Sequence, residues 1–175
     1  FGVTVATDRE RGYLRLRRAL PTPAGAPMLA KMAMAMLFAA IISLLLATLA
    51  ATLAGVRLAP AQWIGLFAVN VAGVLPFAAI GLYAGACLGA NSAPVVLNAL
   101  YLPMSFLSGL WLPLSMLPDW LSGLAPVWPA YHLAQLALKV VGHDAGEPVW
   151  WHVLVLALVT LAAWVLARRR LAATE

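Results

Sequence analysis

The sequence predicts an all-α integral membrane protein with four full transmembrane helices, an outer re-entrant helical hairpin and an amphipathic helix on the cytoplasmic face. Three observations carry this. The 175 residues are 64% hydrophobic and 10% charged, with mean hydropathy +0.93, whereas soluble domains average about 45–50% apolar and about 25% charged residues. Charge is absent from Met32 to Val56 and again from Leu58 to Pro118. The basic residues gather at the ends of the apolar runs, with Arg9, Arg11, Arg15, Arg17, Arg18 and Lys31 before the first and Arg168–Arg170 after the last.

A membrane-crossing helix needs about 20 mostly apolar residues. The first charge-free run accommodates one span, residues 32–55. The second is too long for a single helix and divides at Gly89-Ala90-Asn91-Ser92 into spans 62–88 and 94–112. Pro94 then falls in the first turn of its helix, where proline is tolerated. The last span covers 149–167, between Trp150-Trp151 and the arginine triplet. Tryptophans suit the interface and basic flanks prefer the cytoplasm. Both basic groups therefore lie inside, which requires an even number of crossings between them.

Parity decides the reading of residues 113–148. This stretch is apolar but holds Pro113, Pro118, Pro126 and Pro129, and proline interrupts the helix hydrogen-bond ladder. A fifth crossing would also put the arginine triplet outside. The expectation is two short helices, Ser115–Leu124 and Pro129–Val141, entering and leaving on the outer side. Backbone of this kind is tolerated at membrane depth only where protein or water covers it.

Before the spans, residues 1–7 read as the tail of a preceding span and residues 8–26 as a cytoplasmic segment. Residues 27–175 form the transmembrane domain. The chain is thus expected to be the C-terminal part of a longer membrane domain. Thr7–Leu20 is predicted to be helical from the capping-box spacing of Thr7 and Glu10. Tyr13, Leu16 and Leu20 share one face; Arg11, Arg15 and Arg18 share the opposite one. That pattern suits an interfacial helix, serving either as a headgroup anchor or as a docking surface for a cytoplasmic partner.

Within the spans, Gly81, Gly85 and Gly89 repeat every four residues and invite close helix approach, inside one chain or between subunits. Gly65 and Gly73 are expected near the same face, and Pro76 is expected to kink the helix. Asn70, Asn98 and Ser108 are polar positions that could line a path or make hydrogen bonds between helices. Met28, Met32 and Met36 form a strip that is core, lipid-facing or substrate-facing.

The net charge of +5 belongs with the membrane surface rather than with nucleic acid. The single cysteine, Cys87, reads as a small packing residue. His132, His143 and His152 lack metal-ligand spacing with cysteine or carboxylates. No nucleophilic set or phosphate-binding glycine loop occurs. The chain is therefore not expected to be an enzyme or to hold a cofactor, and the charge-free spans contain no proton relay.

Two blocks of sequence resemble ABC-2 type transporter permeases, most nearly the drug- and antibiotic-exporting branch. The first is Asp8-Arg9-Glu10-Arg11-Gly12, then Leu20-Pro21-Thr22-Pro23 and Ala30-Lys31. The second runs through Asn91-Ser92-Ala93-Pro94, Asn98, Tyr101-Leu102-Pro103, Ser108–Pro113, Leu117-Pro118 and Pro129–His132. The resemblance implies that Thr7–Leu20 is the coupling helix, with Glu10, Arg11, Gly12, Tyr13, Leu16 and Leu20 touching a separate ATPase subunit. It makes Pro113, Pro118, Trp120, Pro126, Pro129 and Tyr131 part of the outer hairpin. It implies two permease copies and two ATPase subunits, with ATP and Mg bound by the ATPase, in the bacterial inner membrane. The expected function is the permease subunit of an ATP-driven exporter of an amphipathic drug-like, lipid-like or glycan substrate. The alternative is a non-transporting scaffold or immunity protein of the same fold.

Overall fold

The computed structural model describes residues 2–11, 25–112, 114–143 and 146–173, with only the backbone of Arg9. Its helices are α1 (Gly2–Glu10), α2 (Ala26–Thr52), α3 (Pro60–Cys87), α4 (Ser92–Leu107), α5 (Asp119–Ser122), α6 (Pro129–Val141) and α7 (Val149–Ala173). Single 3₁₀ turns at Leu114–Met116 and Ala125–Val127 flank α5. No strand occurs among the described residues.

Helices α2, α3 and α7 contain 27, 28 and 25 residues. At 1.5 Å per residue each is about 37–42 Å long, more than the roughly 30 Å hydrocarbon core. Their outer faces are apolar. Ile41, Ile42, Leu44, Leu45 and Leu46 are each 52–58% exposed, an arrangement suited to lipid and adverse in water. Pro27 lies in the first turn of α2, and the helix starts at Ala26, so Lys31 lies on it. At the other end α7 starts at Val149, as predicted, and continues past residue 167 so that Arg168–Arg170 are helical.

The predicted span 94–112 is shorter than expected. Helix α4 ends at Leu107, with Ser108 as its C-cap, and Gly109 takes the left-handed conformation at φ 82°. Glycine enters that region without a Cβ penalty, and the chain turns there. The 16 residues of α4 span only about 24 Å.

Helix α3 is the hub. It packs against α7, α2, α1 and α6, while α6 also packs on α7. Val5, Met28, Met32, Ala79, Leu82, Ala163 and Ala167 form one buried cluster. Met28 and Met32 are thus core residues, while Met36 is half-buried. Pro76 is fully buried within α3.

The predicted helix Ser115–Leu124 is a correction. Residues 114–127 form three separate single turns, because Pro118 and Pro126 each lack an amide donor and restart the chain. The predicted second helix, Pro129–Val141, has those bounds. Gly142, at φ 80°, is its left-handed C-cap and donates to the carbonyls of Leu138 and Lys139.

Candidate functional site

The basic end of the bundle is organised by α1. A helix already occupies Gly2–Glu10, so Thr7, the predicted start of Thr7–Leu20, lies inside it, and residues 12–20 of that prediction lie outside the described residues. Thr7 Oγ1 donates to the Val3 carbonyl at 2.9 Å, so it is an interior helix residue and not an N-cap. The expected division between residues 7 and 8 falls inside this helix. Gly12, Tyr13, Leu16 and Leu20 lie outside the described residues. Arg11 follows the helix, its amide donating to the Thr7 carbonyl at 3.0 Å.

The glycine stripe on α3 receives α1. A Cβ on Gly85 would run into the Gly2 carbonyl and lie 3.0 Å from Val5 Cβ. One on Gly81 would meet the Gly2 amide at 3.6 Å, and one on Gly89 would lie 2.9 Å from Glu10 Oε1. The stripe therefore packs within this chain. Gly65 and Gly73 do not share its partner: a Cβ there would meet Val140 and Leu133, both on α6.

Two polar contacts fix α1 in place. Glu10 Oε1 accepts from the Ala90 amide at 2.8 Å, just ahead of α4, where a carboxylate also meets the positive end of the helix dipole. Lys31 Nζ on α2 donates to Asp8 Oδ2 and Thr4 Oγ1, both at 3.1 Å. Beside them the Arg168 guanidinium lies 4.8 Å from the Trp164 ring centroid. The resemblance assigned Glu10 to a docking surface; the residue is exposed, and its carboxylate bonds the α3–α4 connection. The Asp8–Lys31 pair was missed, because 23 residues separate the partners.

The candidate path residues do not converge. Asn70 Nδ2 donates to Ser43 Oγ at 3.3 Å, joining α3 to α2. Ser108 is buried and its hydroxyl donates back to Ser105 O at 3.2 Å. Asn98 is exposed on α4. No hydrogen bond links the three among the described residues. An apolar cavity of about 640 Å³ lies between α2, α3, α6 and α7, with Met32, Pro76, Leu133, Leu156 and Trp164 in its walls. Thr160 contributes a hydroxyl to its wall, and that group donates to Leu156 O at 2.7 Å.

At the opposite end of α7, α6 carries two of the predicted hairpin residues inward, while Pro126 is exposed in the turn before it. Pro129 and Tyr131 are buried on α6, Pro118 is the N-cap of α5, and Trp120 is 71% exposed. Pro113 lies outside the described residues. His132 Nε2 donates to the Pro126 carbonyl at 2.9 Å, and His132 Nδ1 lies 2.9 Å from His152 Nδ1. Sequence reading set these histidines aside because their spacing carries no motif; only the packing of α6 on α7 joins them. No group of three or more His, Cys, Asp or Glu suited to a metal ion occurs among the described residues.

Long apolar helices with lipid-facing outer surfaces, locked at their basic end by polar side chains, define an integral membrane protein. The chain belongs to the ABC-2 type transporter family, whose sequence model matches residues 1–142. It is similar to the protein named "Putative transport permease YvfS" of Bacillus subtilis (strain 168), with 23% identity over 168 residues. The match covers 96% of this chain and 68% of that relative. The family places the chain among membrane permeases that work with an ABC ATPase.

Proposed function

We propose that this chain is the permease subunit of an ATP-driven exporter, with ATP and Mg bound by a separate ATPase and two permease copies in each transporter. The observation that carries the reading is the seating of α1. The segment that continues into the basic stretch is bound to α3 through Gly81 and Gly85, to the α3–α4 connection through Glu10, and to α2 through Lys31. A displacement delivered by an ATPase to residues 11–20 would then reach three helices at once. Rigid-body motion of this kind is an established switching mode.

In this reading α4 completes a fourth crossing, the α5–α6 hairpin lies on the outer side, and both basic ends face the cytoplasm of a bacterial inner membrane. The apolar cavity and the absence of fixed charge in the spans favour an amphipathic cargo. The test is reconstitution with the ATPase encoded beside this gene. Stimulated hydrolysis and outward movement of an amphipathic dye support the reading. Failure to bind that ATPase overturns it, and resistance that persists with a hydrolysis-dead ATPase points to the scaffold or immunity role.

A further inference from the structure

The apolar cavity between α2, α3, α6 and α7 runs along α7. Val149, Val153, Ala157, Thr160 and Trp164 line it from that helix, spaced by three or four residues and so on one face. From Val149 to Trp164 the helix rises about 22 Å. One leaflet is half of the roughly 30 Å hydrocarbon core, so the cavity is long enough for an acyl chain that fills one leaflet. Its volume of about 640 Å³ falls within the about 300–1,000 Å³ of ligand sites. Leu29 and Leu161 in its walls are exposed, so it is a groove that opens sideways onto the lipid-facing surface.

The two ends of the groove differ. At the basic end the α7 stripe continues from Trp164 to Arg168, one turn on. The Arg168 guanidinium lies 4.8 Å from the Trp164 ring centroid and the residue is exposed, so a cation stands at the mouth of an apolar groove. Arg169 and Arg170 follow it. At the other end Leu133 and Leu136 of α6 form the walls, and Lys139 of α6 is turned to the Glu147 backbone carbonyl at 2.7 Å. Among the described residues no charged side chain lines the groove itself. An apolar tail with an anionic head at one end suits both features. A neutral apolar molecule leaves the cation unused, and a zwitterionic head brings an ammonium beside three arginines.

We propose that this groove binds an acyl chain of an anionic phospholipid, with its tail toward α6 and its phosphate at Arg168. Guanidinium–phosphate hydrogen bonds are charge-assisted and frequently bidentate. Anionic lipids belong to the cytoplasmic leaflet, the leaflet at which Arg168 lies under the proposed topology, and the side opening admits the chain from there. The inference rests on reading the cavity as a site for an amphiphile, and it names the amphiphile. Binding needs neither the ATPase nor ATP. A failed transport assay therefore leaves it standing, and an empty groove leaves the permease assignment standing.

The experiment uses the whole protein in phosphatidylcholine bilayers carrying a small fraction of photoactivatable lipid, either phosphatidylglycerol or phosphatidylcholine with a diazirine at the chain end. Adducts are mapped by mass spectrometry. The phosphatidylglycerol probe is expected to label Leu133, Leu136, Val149 and Val153, and unlabelled phosphatidylglycerol to compete with it. Arg168→Gln is expected to weaken that labelling about fivefold, the worth of one basic residue at an anionic surface. Arg168→Lys should keep most of it, and Arg169→Gln, on another face of α7, should change it little. Ala157 is exposed and lines the groove, so Ala157→Phe places its ring in open space; it is expected to abolish labelling with an unchanged thermal midpoint. Equal labelling by the two probes overturns the proposal. So does labelling no denser in the groove than on the outer face of α2 at Ile41–Leu46, or an equal loss in Arg168→Gln and Arg169→Gln.

Discussion

Glu10 and Ala90 are 80 positions apart in the chain, yet the Glu10 carboxylate accepts the Ala90 amide at 2.8 Å. This bond joins the end of α1 to the turn between α3 and α4. Glu10→Ala is expected to remove it together with the dipole contribution, which is worth about 0.3–1 kcal/mol at an exposed helix end. The expected phenotype is uncoupling: ATPase binding persists while transport per ATP falls. Glu10→Gln keeps an acceptor oxygen and is expected to be milder. Measuring transport and hydrolysis on the same proteoliposomes separates the two effects, and equal losses in both variants would count against this role.

Gly85 is the tightest point of the α1–α3 contact. Its added Cβ would strike backbone, the Gly2 carbonyl, which cannot swing aside. Gly85→Ala is expected to destabilise by about 1–3 kcal/mol, as overpacking does, seen as a lower thermal midpoint. Gly25→Ala is the control. Nothing lies within 4 Å of its added Cβ, its φ of −87° suits alanine, and its midpoint should stay unchanged or rise slightly.

Asp8 and Lys31 form a partly exposed ion pair, with side-chain exposures of 32% and 21%. Such pairs contribute about 0.2–1 kcal/mol. A double-mutant cycle with Asp8→Asn and Lys31→Met is expected to give coupling in that range, shrinking as salt rises. A coupling above about 2 kcal/mol would mark the pair as far more desolvated than its exposure indicates.

Asn70 tests structure against transport. Its bond to Ser43 predicts that Asn70→Leu costs about 0.6 kcal/mol, and at most about 1.7 kcal/mol. Transport specificity should then stay unchanged. A changed cargo profile with unaltered stability would instead place Asn70 on a path.

Elements governed by local chemistry were legible before any fold. Pro129 in the first turn and Gly142 at the C-cap bound α6 at both ends, and both signals are written in adjacent residues. Gly89 and its neighbours divide the long apolar run for the same reason. Other positions depend on how the chain packs. Thr7 has the spacing of a cap, but α1 had already begun at Gly2, because packing on the α3 glycines supports helix upstream of it. Span 94–112 stops early at Gly109, where Leu114 closes over the turn. Asn98 has the same chemistry as Asn70 but faces outward on α4.

The sequence by itself determined that this is a membrane protein, where its long helices run, and to which family it belongs. Those follow from hydropathy, proline and glycine placement, and short motifs, all of which act over a few residues. The tertiary structure alone decided that Glu10 bonds to Ala90, that the glycine stripe receives α1, and that His132 and His152 meet. Each depends on which helix faces which. In a chain whose spans are apolar on every side, hydrophobic periodicity marks no preferred face. The choice rests with close backbone approach and a few buried polar contacts, which exist only once the helices are assembled.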